Sequence, residues 1–148
     1  MSKLVKKVFF DNPATTSAEA IEFLSEQAIE LGISDDKDAI LAAFNEREAQ
    51  GPTGMTGGFA LPHAKSEAIK DAAIIVVKFG GDIEWKSMDD HAVKAAIALF
   101  VPGGEAGTTH LLILSKVAAL LMQPDFCELV LESDDEAEIA AAIEEGVA

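Results

Sequence analysis

The chain has 148 residues, 49% of them hydrophobic and 25% charged, and this length and composition are typical of one globular domain spanning residues 1–148. Lysine and arginine total 11 against 26 aspartate and glutamate residues, a net charge of −15 that argues against binding to nucleic acid or to an anionic membrane surface. With Cys127 as the single cysteine no internal disulfide can form, and no apolar run is long enough for a signal peptide or a bilayer span, so we expect a cytoplasmic protein without direct membrane insertion.

Two helices are predicted in the first third of the chain. An apolar stripe at helical spacing predicts a helix over 17–31 that Gly32 ends. Ser34 is expected to cap a second helix, which runs to about Ala49 and carries Arg47 in its last turn. Its buried face is expected to hold Ile40, Leu41 and Phe44.

Apolar segments in the middle of the chain predict the strands of a sheet. Phe59–Leu61 is a short strand candidate, and 72–79 and 95–101 are β-branched or apolar runs typical of buried strands. Gly80-Gly81 is predicted to be a turn, followed by a half-buried strand in which Ile83 and Trp85 alternate with polar neighbours.

The last third of the chain is predicted to be helical. A helix from about Thr108 to Met122 is apolar nearly all round, so we expect it to be central. Pro124 begins a short helix, and Ser133 is expected to cap a last, acidic one. Two helices, then strands, then helices indicate an α/β fold, a three-layer domain with a mixed β-sheet flanked by α-helices.

The segment Arg47–Ser66, REAQGPTGMTGGFALPHAKS, is the most informative part of the sequence. Its four glycines let the backbone approach another group closely, and Pro62 fixes the backbone just ahead of His63. The segment lacks the G-x-x-x-x-G-K-[ST] pattern of a nucleotide-binding loop. A flexible connector remains an alternative for the loop, a structural imidazole for His63, and a helix-terminal charge that complements the dipole for Arg47.

The other histidines and the cysteine limit the kinds of reaction that this protein could carry out. His110 lies in the first turn of a predicted helix, where free N–H groups bind anions and disfavour a protonated imidazole. His91 follows two aspartates and is expected at the surface, and the histidine spacing, without a cysteine pair, does not indicate a zinc site. Cys127 has apolar neighbours typical of a core residue. A histidine that itself accepts a phosphoryl group fits these observations.

The pattern RE…TG…GFALPHAK, followed by an apolar strand, IEW, a strand ending in PGG, and THLLIL, resembles the IIA domain of the fructose–mannitol family over nearly the whole chain. These domains belong to the bacterial phosphoenolpyruvate-dependent sugar phosphotransferase system. The resemblance implies that His63 accepts phosphate from phospho-HPr, as a tele-phosphohistidine, and passes it to a sugar-specific IIB protein or domain. It implies that His110, Arg47 and Thr53 complete the catalytic site, and that no metal or cofactor is needed.

Two other functions remain open on the sequence. A nitrogen-regulatory type of IIA protein, which acts through its phosphorylation state, resembles the same family, although PHAKS favours sugar transport. A non-catalytic binding module with a structural His63 is the third. Since Cys127 does not match a IIB phosphocysteine motif, we expect a lone IIA protein. An apolar rim that includes Phe59 and Met55 is expected to shield the phosphohistidine.

Overall fold

A mixed five-stranded sheet organises the part of the chain that the computed structural model describes, namely residues 4–51, 53–55, 57–85, 92–103 and 108–147, with the backbone alone for 108–111. The strands are β1 (Val5–Asn12), β2 (Phe59–Ala60), β3 (His63–Ser66), β4 (Ala73–Ile83) and β5 (Val93–Pro102). The helices are α1 (Ser17–Glu30), α2 (Lys37–Gln50), α3 (Thr108–Leu120), α4 (Pro124–Glu132) and α5 (Glu136–Val147). The strand order is β1-β4-β5-β2, β3 also pairs with β5, and only the β4–β5 pairing is antiparallel among these strands.

The two faces of the sheet enter two separate hydrophobic cores. Along β5, Ala96, Ala98 and Phe100 point to the core shared with α1 and α2. The alternate residues Ile97 and Leu99 point to the core shared with α3, α4 and α5. Such alternation is the period of a strand buried on both faces, and it confirms the predicted three-layer α/β fold.

β2 and β3 form one interrupted edge strand that carries His63. Phe59 pairs with Ala95 and His63 with Leu99, so both pieces keep the same offset along β5. Pro62 has no N–H to donate, but its carbonyl accepts a 3.0 Å hydrogen bond from Leu99. His63 therefore begins β3 immediately after a break in the strand.

β1 is an edge strand that the sequence patterns do not predict. Its buried residues are Val5, Val8 and Asn12, and this spacing lacks the strict alternation that identifies a half-buried strand. The outer edge of β1 is covered by α5, because Glu144 and Glu136 accept hydrogen bonds from the N–H groups of Val5 and Val8 at 3.0 and 2.9 Å.

The predicted turn at Gly80-Gly81 is wrong, because β4 continues through both glycines to Ile83. The pairing register with β5 shifts between Lys78 and Ile83. Glycine is common at such irregularities, where a strand bends without ending, so the two glycines mark a bulge in one strand rather than a link between two.

Two helix caps lie two residues beyond the predicted serines. Oδ1 of Asp36 accepts from Ala39 N–H at 3.1 Å and caps α2, whereas the Ser34 hydroxyl accepts from Asp36 N–H. Asp135 likewise accepts from the first turn of α5, and Ser133 accepts from Asp135 N–H. In both places the serine closes a local turn and the aspartate that follows caps the helix.

The prediction that α3 is central is wrong. Val117 is fully buried, but the side chain of Leu112 is 53% exposed and Met122, just beyond the helix, is 77% exposed. The helix lies in an outer layer, so one face packs on the sheet and α5 while the other meets solvent. Within the described ranges, no helix is both long and apolar enough to cross a bilayer.

Candidate active site

Two hydrogen bonds of opposite sense fix the imidazole of His63. Nε of Arg47 lies 2.9 Å from Nε2 and can only donate, because the guanidinium is always protonated. Nε2 must therefore present its lone pair. Nδ1 lies 3.1 Å from the carbonyl oxygen of Leu61, which can only accept, so Nδ1 carries the proton. The ring is neutral, with Nε2 as its nucleophilic atom.

The surroundings of His63 keep that neutral form populated at neutral pH. Burial lowers the pKa of the imidazole, and the charge of Arg47 lowers the pKa further. The hydrogen bond to Leu61 and the negative charge of Glu48 act in the opposite direction, but the net pKa stays below the ordinary value. An unprotonated nitrogen is the form that can attack phosphorus.

The C-terminal turn of α2 positions Arg47. Besides contacting His63, the guanidinium donates from Nη1 to the carbonyl of Gly51, the residue that ends the helix, at 2.8 Å. Arginine commonly binds the free carbonyls of a helix terminus. The alternative interpretation of Arg47 as a helix-terminal residue and its predicted place beside His63 therefore both hold.

Thr53, which is itself buried, joins a hydrogen-bonded cluster around the half-buried Glu48. Thr53 is only 4% exposed; its hydroxyl donates to Oε1 of Glu48, and its N–H donates to Oε2 at 3.2 Å. The indole N–H of Trp85 donates to the same Oε1 at 3.2 Å. The described hydrogen bonds of Thr53 thus reach His63 only indirectly, through Leu61, whose N–H donates to Thr53 O at 2.9 Å.

The glycine-rich loop folds back onto β2 as a hairpin. Met55 N–H donates to Phe59 O at 2.7 Å, and Gly57 and Gly58 turn the chain with φ of 71° and 88°. These contacts favour a structured turn over a flexible connector. Phe59 is fully buried in the core beneath α3, so its predicted place in a shallow apolar rim around His63 is wrong, whereas Met55 is partly buried.

A depression of about 370 Å³ opens beside His63 between α2 and β3. It is lined by Ala43, Glu46, Arg47, Gln50, His63 and Lys65. Three of these side chains, Glu46, Gln50 and Lys65, are exposed. His63 therefore lines a depression whose rim is exposed at the protein surface.

The remaining candidate residues are His110, His91 and Cys127. The helix predicted to begin near Thr108 does begin there and includes His110, but the His110 side chain and all of His91 lie outside the described residues. Among the described side chains, no three His, Cys, Asp or Glu residues are grouped to hold a metal ion. Burial raises the pKa of the Cys127 thiol, which donates to Leu121 O at 3.3 Å, as in a structural cysteine.

Glu48 is the site residue that sequence reasoning missed. It occupies the second position of the RE pair, directly after Arg47, and that adjacency was the available signal. Spacing alone gave it no role, because its partners Thr53 and Trp85 are brought to it by the fold, the latter from 37 positions along the chain.

The structure thus combines a three-layer α/β fold with a neutral histidine that begins the edge strand β3 and lies beside an arginine. A family model described as "Phosphoenolpyruvate-dependent sugar phosphotransferase system, EIIA 2" matches residues 4–146. The chain therefore belongs to this family of phosphotransferase components.

Curated relatives support the assignment. The fructose-specific EIIA component of Haloferax volcanii is 34% identical over 140 residues, which cover 95% of this chain and 90% of that protein. The 2-O-alpha-mannosyl-D-glycerate-specific EIIABC component of Escherichia coli is 30% identical over 132 residues, and the chain spans only 20% of its length. A nitrogen regulatory protein of Klebsiella oxytoca is 32% identical over 128 residues, covering 85% of this chain and 77% of that protein.

Solved structures share the fold. The nitrogen regulatory protein IIA-Ntr of Neisseria meningitidis superposes with a TM-score of 0.83 at 20% identity, covering 98% of this chain and 97% of that one. The mannitol IIA in complex with phosphorylated mannitol IIB, from Escherichia coli, gives a TM-score of 0.75 at 19% identity, with 92% of each chain covered.

Proposed function

We propose that Nε2 of His63 carries a phosphoryl group from phospho-HPr to a sugar-specific IIB component, at the cytoplasmic side of sugar uptake. The observation that carries the proposal is the pair of hydrogen bonds around the ring. Arg47 leaves Nε2 with its lone pair, and Leu61 keeps the proton on Nδ1. Attack through Nε2 is attack by a tele nitrogen, so the expected product is a tele-phosphohistidine.

Each transfer exchanges one bond to phosphorus for another. The Nε2 lone pair attacks the phosphorus of phospho-HPr, the donor N–P bond breaks, and its electron pair returns to the donor nitrogen. The His63 ring becomes positive while Nδ1 keeps its proton, and the Leu61 carbonyl stabilises that N–H. In the second step a IIB thiolate attacks the phosphorus, and the electron pair of the Nε2–P bond returns to His63.

Arg47 changes partner during the first step. A phosphoryl group on Nε2 occupies the space where the Arg47 N–H now lies, 2.9 Å away, so the guanidinium must turn to the phosphoryl oxygens. Its planar fork suits those oxygens, and its bond to Gly51 keeps it at the site. We assign His110 a further hydrogen bond to the phosphoryl group from the start of α3, and Thr53 the support of the loop behind His63.

The relatives support a IIB component as the acceptor. The Haloferax protein is named as a fructose-specific EIIA component, and EIIABC names join the IIA unit to IIB and IIC units in one protein. The mannitol complex pairs a IIA of this fold with a phosphorylated IIB. A IIB component is therefore the acceptor that we propose here.

Phosphorylation with radiolabelled phosphoenolpyruvate, Enzyme I and HPr tests the proposal. We expect one acid-labile, base-stable phosphate per chain, mapped to His63, and none on His63→Ala. His63→Gln, which keeps a similar volume, controls for a general loss of fold. Absence of label on the wild-type chain, or its persistence in both variants, contradicts the proposal.

The similarity to a nitrogen regulatory protein supports one alternative, in which the phosphorylation state of His63 controls other proteins. Discharge separates the two. A fructose-type IIB protein should remove the label from His63 quickly in the sugar-uptake role, with an active-site Cys→Ser IIB as the control. Label that stays on His63 in the presence of the unmodified fructose-type IIB supports the regulatory alternative.

A further inference from the structure

The carboxylate of Glu48 collects three hydrogen-bond donors behind the active histidine. They are the Thr53 hydroxyl, the Thr53 N–H and the Trp85 indole N–H. Neighbouring positions of α2 thus reach the imidazole from two sides, since Arg47 binds Nε2 directly. We propose that Glu48 is a positioning residue for phosphoryl transfer, which holds the Nδ1 side of His63 through Thr53 and Leu61. This inference rests on the proposed function of His63.

The link from Glu48 to the ring is a continuous chain of hydrogen bonds. Glu48 fixes Thr53, the Thr53 carbonyl accepts from Leu61 N–H at 2.9 Å, and the Leu61 carbonyl accepts from Nδ1 at 3.1 Å. Thr53 and Leu61 are each 4% exposed, so water competes little for these bonds. The geometry of the Leu61 carbonyl, which selects the tautomer, therefore depends on where Glu48 holds Thr53.

The charge of Glu48 has a second effect on the same ring. Its three described donors are uncharged, and its negative charge acts on the pKa of His63 in the direction opposite to that of Arg47. When the ring becomes positive on phosphorylation, that negative charge stabilises it. Arg47 favours the nucleophilic ring before transfer, and Glu48 favours the charged ring after transfer.

Glu48→Gln tests the proposal, because glutamine keeps the size of the side chain but removes one acceptor oxygen and the charge. Nitrogen NMR of the unphosphorylated ring reports the tautomer without any partner. We expect the wild-type ring to be protonated on Nδ1 and the variant to show a mixture. We also expect transfer from phospho-HPr to slow by about tenfold or more, since a misplacement of 1 Å can cost about a hundredfold. Glu30→Gln, the same change at an exposed position of α1, is the control.

Two further variants test the proposal if Glu48→Gln does not fold. Thr53→Val removes one donor to Glu48 and keeps the side-chain shape, and Trp85→Phe removes the indole donor while keeping a smaller aromatic ring. Each should shift the ring signals in the same direction by a smaller amount. Combining Thr53→Val with Glu48→Gln should add little, because both act through one contact.

Two results overturn the inference: an unchanged tautomer in all three variants, or slow transfer from a ring whose signals match the wild type. Failure of the wild-type chain to take phosphate on His63 is a different result. It removes the proposed function, while the ring signals still measure the coupling between Glu48 and His63.

Discussion

Replacing Arg47 with alanine should slow phosphoryl transfer more than any other change on α2. Nε of Arg47 lies 2.9 Å from Nε2, the atom that we propose bonds to phosphorus, so in the transition state the guanidinium is within hydrogen-bonding reach of the phosphoryl oxygens. A unit charge about 4 Å from another contributes about 4 kcal/mol at an effective dielectric of about 20. Since each 1.36 kcal/mol is about tenfold in rate, the expected loss is about a thousandfold.

Arg47→Lys separates charge from geometry. Lysine keeps the positive charge but has no planar fork and no N–H at the Nε position, which binds Nε2 in the wild type. We expect this variant to transfer phosphate at a rate between those of the wild type and Arg47→Ala. Equal rates for lysine and alanine would show that the fork carries the whole effect.

The assay is rapid-quench transfer of labelled phosphate from phospho-HPr, repeated from pH 5 to pH 8. Because the charge of Arg47 lowers the pKa of His63, its removal should raise that pKa and move the acid limb of the rate profile to higher pH. A wild-type rate in Arg47→Ala, or an acid limb that does not move, would refute this account of Arg47.

Three further predictions concern stability and the second histidine. The folded pKa of His63 lies below its unfolded value of about 6.5, so its stabilising contribution is present above that pH and is lost as the pH falls through the folded pKa. The difference in free energy of unfolding between wild type and His63→Gln, measured by urea titration, should therefore shrink as the pH falls. A difference that stays constant with pH would contradict this. Gly103→Ala should lower the free energy of unfolding by about 1–3 kcal/mol, because a Cβ there would lie 2.7 Å from the Glu67 nitrogen. Gly81→Ala should lower it by less, because the space around Gly81 is open. Equal losses of stability in urea titrations would count against the packing argument. His110→Ala should slow labelling strongly while the phosphate still maps to His63, and normal labelling kinetics would remove His110 from the mechanism.

Local periodicity predicts most of the fold because most elements bury a regular face. Helix α1 and the buried strands β4 and β5 have apolar patterns that match their burial, so these predictions are confirmed in kind if not at every boundary. Sequence patterns do not predict β1, because its burial depends on α5. This helix covers the edge of β1 and lies more than a hundred positions away along the chain. Sequence patterns do not predict the bulge in β4 either, because a glycine pair gives the same local signal in a strand and in a turn until the partner strand is known.

Some features of the site are also predicted by local sequence signals, and others depend on tertiary contacts. The proline before His63 and the glycines of the loop are local signals, but only the family resemblance placed Arg47 near His63, from 16 positions earlier. Their contact requires α2 to lie against the edge strand β3, which is a tertiary arrangement. Glu48 depends on two such arrangements at once, the return of the loop to Thr53 and the position of Trp85 beyond β4.

Pro62 connects the fold to the chemistry of the ring. It is one of the two residues between β2 and β3 and has no N–H to donate to the sheet, so the edge strand is interrupted while its register along β5 is kept. At this interruption the Leu61 carbonyl binds Nδ1 of His63. An uninterrupted strand would direct successive carbonyls sideways into the sheet plane, and none would meet the ring two residues later. The break thus selects the tautomer that leaves Nε2 unprotonated, and α2 places Arg47 against that nitrogen.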